Sequence, residues 1–196
     1  MSTLKEKSQL GTLFVITGPS GAGKTTLANL IQTRNASLSK IITATTRSPR
    51  FGEVHGVNYI FMSNDAFHEL HKNNGFIEVN NYNQQWYGTP RSAILELLKS
   101  GKPGILIADI HGACALKKEF SNTIVIWVDS PTEELKKRLV QRNSENAKDI
   151  ENRIALVFLE RAHHEKTGVS DYCVSNIALE EALESISRII NTSKSS

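Results

Sequence analysis

The segment Gly18-Pro19-Ser20-Gly21-Ala22-Gly23-Lys24-Thr25 constrains this 196-residue chain more than any other feature. It is a full match to G-x-x-x-x-G-K-[ST], and it stands where that pattern has meaning, between an apolar run and a segment of helical periodicity. The glycines let the backbone wrap closely around phosphate groups. Exposed N–H groups and the start of a helix supply positive potential, and Lys24 adds a full charge. Thr25 offers a hydroxyl to Mg²⁺. A loop of this kind binds a nucleoside triphosphate without saying what receives the phosphoryl group, so GTPase, ATPase and small-molecule kinase all stay open at this point.

The surroundings of the loop give a fold class. Leu13-Phe14-Val15-Ile16, Ile105-Leu106-Ile107-Ala108 and Ile124-Val125-Ile126-Trp127-Val128 are unbroken by polar alternation, the pattern of strands covered on both faces in a parallel sheet. After the first comes Lys24 to Ile31, with Leu27, Leu30 and Ile31 at helical spacing. After the third, Ser130-Pro131-Thr132-Glu133 reads as an N-cap Ser, a Pro at the first helical position and an early Glu, followed by Leu135 and Leu139. This alternation predicts an α/β chain with the doubly wound parallel sheet of P-loop NTPases.

Two stretches break the rhythm. From about 43 to 89 the sequence is polar and aromatic-rich, with short strands expected at Val57–Phe61 and Phe76–Val79; this predicts a small mixed α+β insert at the C-terminal edge of the sheet. From about 138 to 164 it is dense in charge, with Asn143-Ser144-Glu145-Asn146 between two helical segments, which predicts a helical lid. The core then comprises about 11–42, 90–137 and 165–192, in one domain. The end, Thr192 to Ser196, offers nothing to bury and is expected to fray.

Composition narrows the partners. A formal charge of +3 is too small to imply a nucleic-acid groove, and the longest apolar run is too short to span a bilayer. The polar start, Met1 to Ser8, lacks the apolar stretch of a signal peptide, and Cys114 and Cys173 lie far apart without metal-site spacing. The expectation is a cytoplasmic protein with buried, inert thiols and neither nucleic-acid nor membrane partners.

The segment Thr43-Ala44-Thr45-Thr46-Arg47-Ser48-Pro49-Arg50-Phe51-Gly52-Glu53-Val54-His55-Gly56-Val57-Asn58-Tyr59 closely resembles the acceptor-phosphate segment of guanylate kinases. The similarity extends through Phe76-Ile77-Glu78, Tyr87-Gly88-Thr89 and Asp109-Ile110-His111-Gly112, and with the phosphate loop covers nearly the whole chain. Arg47 and Arg50, three apart around a proline, can converge two guanidinium forks on one dianionic phosphate. Tyr59 and Tyr87 can each donate an O–H to it. The resemblance implies these roles, with Glu53 ordering the arginines. Glu78 sits in an apolar run where an unpaired carboxylate is costly, so it must face donors. Guanine presents two adjacent donors, N1–H and N2–H₂, whereas adenine presents an acceptor at N1. By resemblance Glu78 reads the guanine edge, and Thr43 and Thr89 supply hydroxyls.

The resemblance further implies ATP-dependent phosphorylation of GMP to GDP with Mg²⁺, dGMP being a further acceptor to consider. ATP then lies on the loop from Gly18 to Thr26, with Lys24 and Arg47 among the catalytic residues. Arg142 and Arg153 close over the triphosphate with Arg138 assisting, and Asn176 lies near the adenine. Asp109 lines the acceptor site and can reach the metal through water. Two departures mark this chain: Ile107 stands where the family usually has a second aspartate, and His111 where it has glutamine. Ile107 keeps in view a same-fold kinase for another phosphorylated acceptor, such as a ribose bisphosphate; the family resemblance also admits a phosphopeptide-binding module, which the intact Lys24-Thr25 loop disfavours. His163 and His164 are read as surface residues, and the oligomeric state is left open.

Overall fold

The computed structural model describes residues 10–82, 84–141 and 147–193. Strand β1 (Leu13–Thr17) is buried along its whole length, because parallel neighbours flank it on both edges and helices cover both faces. With β2 (Ser39–Lys40), β7 (Gly104–Ile107), β8 (Thr123–Asp129) and β9 (Tyr172–Ser175) it forms a parallel sheet in the order β2-β7-β1-β8-β9. Its side chains alternate between two cores. Phe14 and Ile16 enter a cluster with Leu27, Ile31, Leu183 and Ile186, whereas Leu13 and Val15 join Ile94, Leu97, Ala113 and Leu116. The first core is covered by α1 (Lys24–Arg34) and α7 (Leu179–Thr192), the second by α3 (Arg91–Lys99) and α4 (Ile110–Glu119).

A second sheet of four strands, ordered β4-β3-β6-β5, stands beyond the C-terminal edge of the first. It contains β3 (Ala44–Thr45), β4 (Ile60–Phe61), β5 (Phe76–Tyr82) and β6 (Gln85–Pro90). Helix α2 (Asn64–Lys72) packs Phe67 against Phe76, ring centroids 4.4 Å apart, and is capped by Ser63, whose hydroxyl accepts from Ala66 N at 3.2 Å. The strand expected from Val57 is shorter than its β-prone residues suggested. Residues 54–59 turn back through the Gly56 N–H donating to Tyr59 O, Tyr59 makes an isolated bridge with His55, and Ile60 and Phe61 pair with β3.

Several further expectations are corrected. The strand expected over Ile105–Ala108 ends one residue early, at Ile107, and Asp109 caps α4, its Oδ1 accepting Gly112 N at 2.7 Å. Helix α5 (Thr132–Gln141) begins after Pro131, and the Ser130 hydroxyl donates to Asn176 O instead of capping it. Cys173 is exposed and Cys114 half-buried, so neither thiol is a core residue.

Helix α6 (Ala147–Thr167) is long, and its C-terminal end is fastened to the core. Arg161 grips Asp129 with Nε and Nη2 at 2.8 and 2.9 Å, and His164 stacks on Trp127 with centroids 4.0 Å apart and planes 6° from parallel. His164 is therefore no surface residue. Burial lowers its pKa. His163 is half-buried against His111, with ring centroids 4.4 Å apart. Arg142, the turn at 143–146 and the end from 194 lie outside the described residues. No helix among those described is long and apolar enough to cross a membrane.

Candidate active site

The phosphate loop is a backbone construction. Gly18, Gly21 and Gly23 have φ of 141°, 85° and 88°, conformations that side chains resist. At two of these positions space forbids a side chain as well: a Cβ on Gly18 meets Val128 O at 1.9 Å, and one on Gly23 meets Asn176 Nδ2 at 2.4 Å. The chain leaves β1, folds through Pro19 and Ser20, and enters α1 with Lys24 and the exposed Thr25 and Thr26 in its first turn. Lys24 Nζ donates to Gly18 O at 2.6 Å and Pro19 O at 3.0 Å, so the ammonium lies over the mouth of the loop. Ala22 is buried beneath it.

Asn176 is buried under the loop, its Nδ2 donating to Ala22 O at 2.7 Å, so it shapes the loop from below. Arg138 donates from Nη2 to Asn176 O at 2.6 Å and from Nη1 to the Ser130 hydroxyl at 3.2 Å, which ties α5 to the same corner. From α6, Arg153 Nη1 donates to the Ser20 hydroxyl at 3.1 Å. Glu160, which sequence reasoning missed, accepts the Ser20 N–H at 3.2 Å, and burial pushes its carboxyl above the ordinary value against the opposing charge of Lys24. Its spacing of seven from Arg153 places both on one helix face, a usable signal.

The insert's polar side is built from side chains. Arg47 Nη1 and Nη2 donate to Glu53 Oε2 and Oε1, each at 2.9 Å, and the Arg50 N–H donates to Glu53 Oε2 at 2.7 Å. The pairing lowers the pKa of Glu53 and raises that of Arg47, through the Arg47 and Glu53 hydrogen bonds first. Arg47 also lies over the Tyr59 and Phe61 rings, 5.4 and 5.7 Å from their centroids. Tyr59 meets Tyr87 edge to face at 6.0 Å, and burial raises its phenol pKa. The Arg50 side chain is exposed on the rim.

Glu78 lies where the pairing of β5 with β6 slips by one residue, Phe76 opposing Pro90 and Val79 opposing Gly88. A bulge of this kind re-aims a side chain. Thr89 Oγ1 donates to Glu78 Oε1 at 2.7 Å, and Asn80 Nδ2 donates to Oε2 at 2.8 Å. Burial raises the Glu78 pKa, opposed by the Thr89 hydrogen bond and aided by the negative field of Asp109.

A single cavity of about 710 Å³ joins these groups. Its lining runs from Lys24, Thr25 and Thr26 past Thr43, Ile107 and Asp109 to Arg47, Arg50, Glu53, Tyr59, Glu78 and Tyr87. Ile107 thus contributes an apolar patch between the two ends. Among the described residues no group of three His, Cys, Asp or Glu could hold a metal. Beside the first turn of α1 the cavity lining presents an ion with the Thr25 hydroxyl and, across the cavity, Asp109, whose Oδ1 already caps α4. That sparse donor set fits a small divalent ion that keeps its waters and takes the rest of its ligands from substrate phosphates.

The guanylate kinase family model matches residues 10–193. A guanylate kinase from Chlamydia muridarum is 40% identical over 179 residues, covering 88% of this chain and 83% of that protein. One from Clostridium tetani is 37% identical over 185 residues, covering 94% and 87%. The crystal structure of guanylate kinase from Anaplasma phagocytophilum superposes with a TM-score of 0.74 at 27% identity, covering 94% of this chain and 86% of that one.

Proposed function

Because the chain belongs to the guanylate kinase family, we propose that its cavity transfers the terminal phosphoryl group of ATP to GMP, giving ADP and GDP. The observation that carries this reading is the continuity of the cavity. One end offers the Lys24-Thr25-Thr26 turn of a phosphate loop, the other a carboxylate set among donors and a forked arginine. Phosphoryl transfer asks for little else, since positioning and charge neutralisation do most of the work.

The residues divide the task as follows. The amides from Gly21 to Thr26, entering α1, take the β-phosphate region, and Lys24 follows the moving group. Arg153 already reaches Ser20 from α6, and the family resemblance assigns Arg142 to the triphosphate with it. Arg138 and Asn176 brace the loop. Arg47, Arg50, Tyr59 and Tyr87 hold the acceptor phosphate, with Glu53 keeping the Arg47 fork flat and oriented. Glu78, flanked by Thr43 and Thr89, accepts the guanine N1–H and N2–H. A divalent ion is needed, and we assign it as Mg²⁺, held by Thr25 and, through water, by Asp109. When bound it neutralises charge on the β- and γ-phosphate oxygens.

The test is ADP release coupled to NADH oxidation, with ATP and Mg²⁺ against GMP, dGMP, AMP, CMP, UMP and a control lacking acceptor. Release with GMP far above AMP is expected, and removal of the ion with EDTA should abolish it. Equal release without acceptor, or none with any nucleoside monophosphate, would overturn the reading.

A further inference from the structure

The Glu78 carboxylate is held at both oxygens, and only one holder, Thr89, belongs to the expected set. The other is Asn80, two residues along β5 and so on the same face of the strand. Across the ladder Asn80 pairs with Tyr87 on the regular side of the bulge, and within the bulge the Thr89 hydroxyl reaches Glu78, so these polar side chains cluster at one place on the second sheet. Asn80 lines the cavity with Glu78, Tyr87 and Asp109.

Carboxamide chemistry then limits what Asn80 can do. Its NH₂ is committed to Glu78 Oε2 at 2.8 Å, which fixes the amide orientation and leaves the carbonyl Oδ1 as its acceptor. Glu78 keeps one lone-pair direction on each oxygen for a ligand, because Thr89 and Asn80 take the others. A carboxylate pinned in this way presents two parallel acceptors at a fixed angle, with a third acceptor beside Oε2.

On the guanylate kinase reading, we infer that Asn80 is a specificity-determining residue of the acceptor site, orienting Glu78 and accepting the second N2–H of guanine through Oδ1. The pocket then selects 2-aminopurine nucleotides over those lacking the exocyclic amine. Guanine N2 lies on the Asn80 side, over Oε2, and N1 on the Thr89 side, over Oε1. Such a site discriminates strongly because a ligand without the amine leaves buried acceptors unpaired.

The experiment compares kcat and KM for GMP and for IMP, its analogue without the 2-amino group, in the wild type, Asn80→Ala and Asn80→Asp. Asn80→Ala should raise KM for GMP about tenfold and KM for IMP less than about threefold, so the preference for GMP falls, while kcat and KM for ATP hold. Asn80→Asp keeps the volume but sets a second carboxylate against Glu78. It should cost more with GMP and move the acid limb of the kcat/KM profile to higher pH. An unchanged preference, or equal losses for GMP and IMP, overturns the inference. The isosteric Asp variant serves even where the Ala variant folds poorly. Wild-type protein inactive toward GMP would instead sink the guanylate kinase reading itself.

Discussion

Around the phosphate loop the groups that face the cavity belong mainly to the backbone, set by Gly18, Gly21 and Gly23 at positive φ. In the insert they are side chains, held by other side chains: Arg47 by Glu53, Glu78 by Thr89 and Asn80. On the proposed reading both ends of one cavity take phosphate or a base carrying donors, yet they answer to different changes. A backbone site is vulnerable to added atoms, a side-chain site to lost ones. The amides of the first do not titrate, whereas the second depends directly on the Glu78 carboxylate, whose pKa burial has raised.

The largest effect should come from the charge that Lys24 holds over the loop. Lys24→Ala should lower kcat by a factor of about 10³, roughly 4 kcal/mol of transition-state stabilisation, in steady-state assays with both substrates saturating. Near-normal turnover would mean that the amides alone suffice.

Gly23→Ala removes no polar group at all. It adds one methyl at a φ of 88°, 2.4 Å from Asn176 Nδ2. The loop must then shift, and kcat/KM for ATP should fall about a hundredfold while GMP binding, read by calorimetry, stays within about twofold. Comparable losses for both ligands would erase the distinction between the two ends.

Glu53→Gln is the complementary change in the insert. It keeps the shape and loses the charge that orients the Arg47 fork. KM for GMP should rise about tenfold and KM for ATP should hold, because a single charge-assisted pair is loosened. If ATP binding suffers equally, the acceptor end is not separable.

The smallest effect is a pH dependence. Protonated Glu78 presents a hydroxyl donor where guanine N1–H needs an acceptor, so KM for GMP should rise as pH falls through the raised Glu78 pKa, above the ordinary 4.5. A Glu78→Gln variant should bind GMP weakly and lose that limb, leaving only the titration of the GMP phosphate. The same shift has a stability consequence of defined sign. The unfolded state ionises more readily, so the wild type loses stability relative to Glu78→Gln as pH rises from 4.5 through the raised value. Thermal melts across that window check it.

The parallel core was readable because its strands are covered on both faces, which writes them as Leu13–Ile16 and Ile124–Val128, runs without polar interruption. The insert was harder. Val57 and Tyr59 are strand-forming types, but turns at Gly52 and Gly56 leave Tyr59 only an isolated bridge with His55, and Ile60 and Phe61 make the strand. His164 was misread because adjacent charged residues in a helix suggest a solvated face. Its ring is claimed by Trp127, 37 residues earlier in the chain, and nothing local announces that stack. Glu160 likewise has a distant partner, Ser20, although its spacing from Arg153 hinted at a shared face, whereas Asn80 stands only two residues from Glu78 and its role was there to be read from strand alternation.

By itself the sequence determined the loop, the strand that feeds it and the types of residue gathered for the acceptor. Glycine φ angles, apolar runs and a Gly-Lys-Thr step act over a few residues, where local sterics dominate. Only the tertiary structure decided that Asp109 caps a helix, that a one-residue bulge re-aims Glu78, and that Arg161 and Asp129 fasten the end of α6 to the core. Those outcomes depend on which distant donor or ring reaches a buried group first, because burial without a partner is too costly to persist.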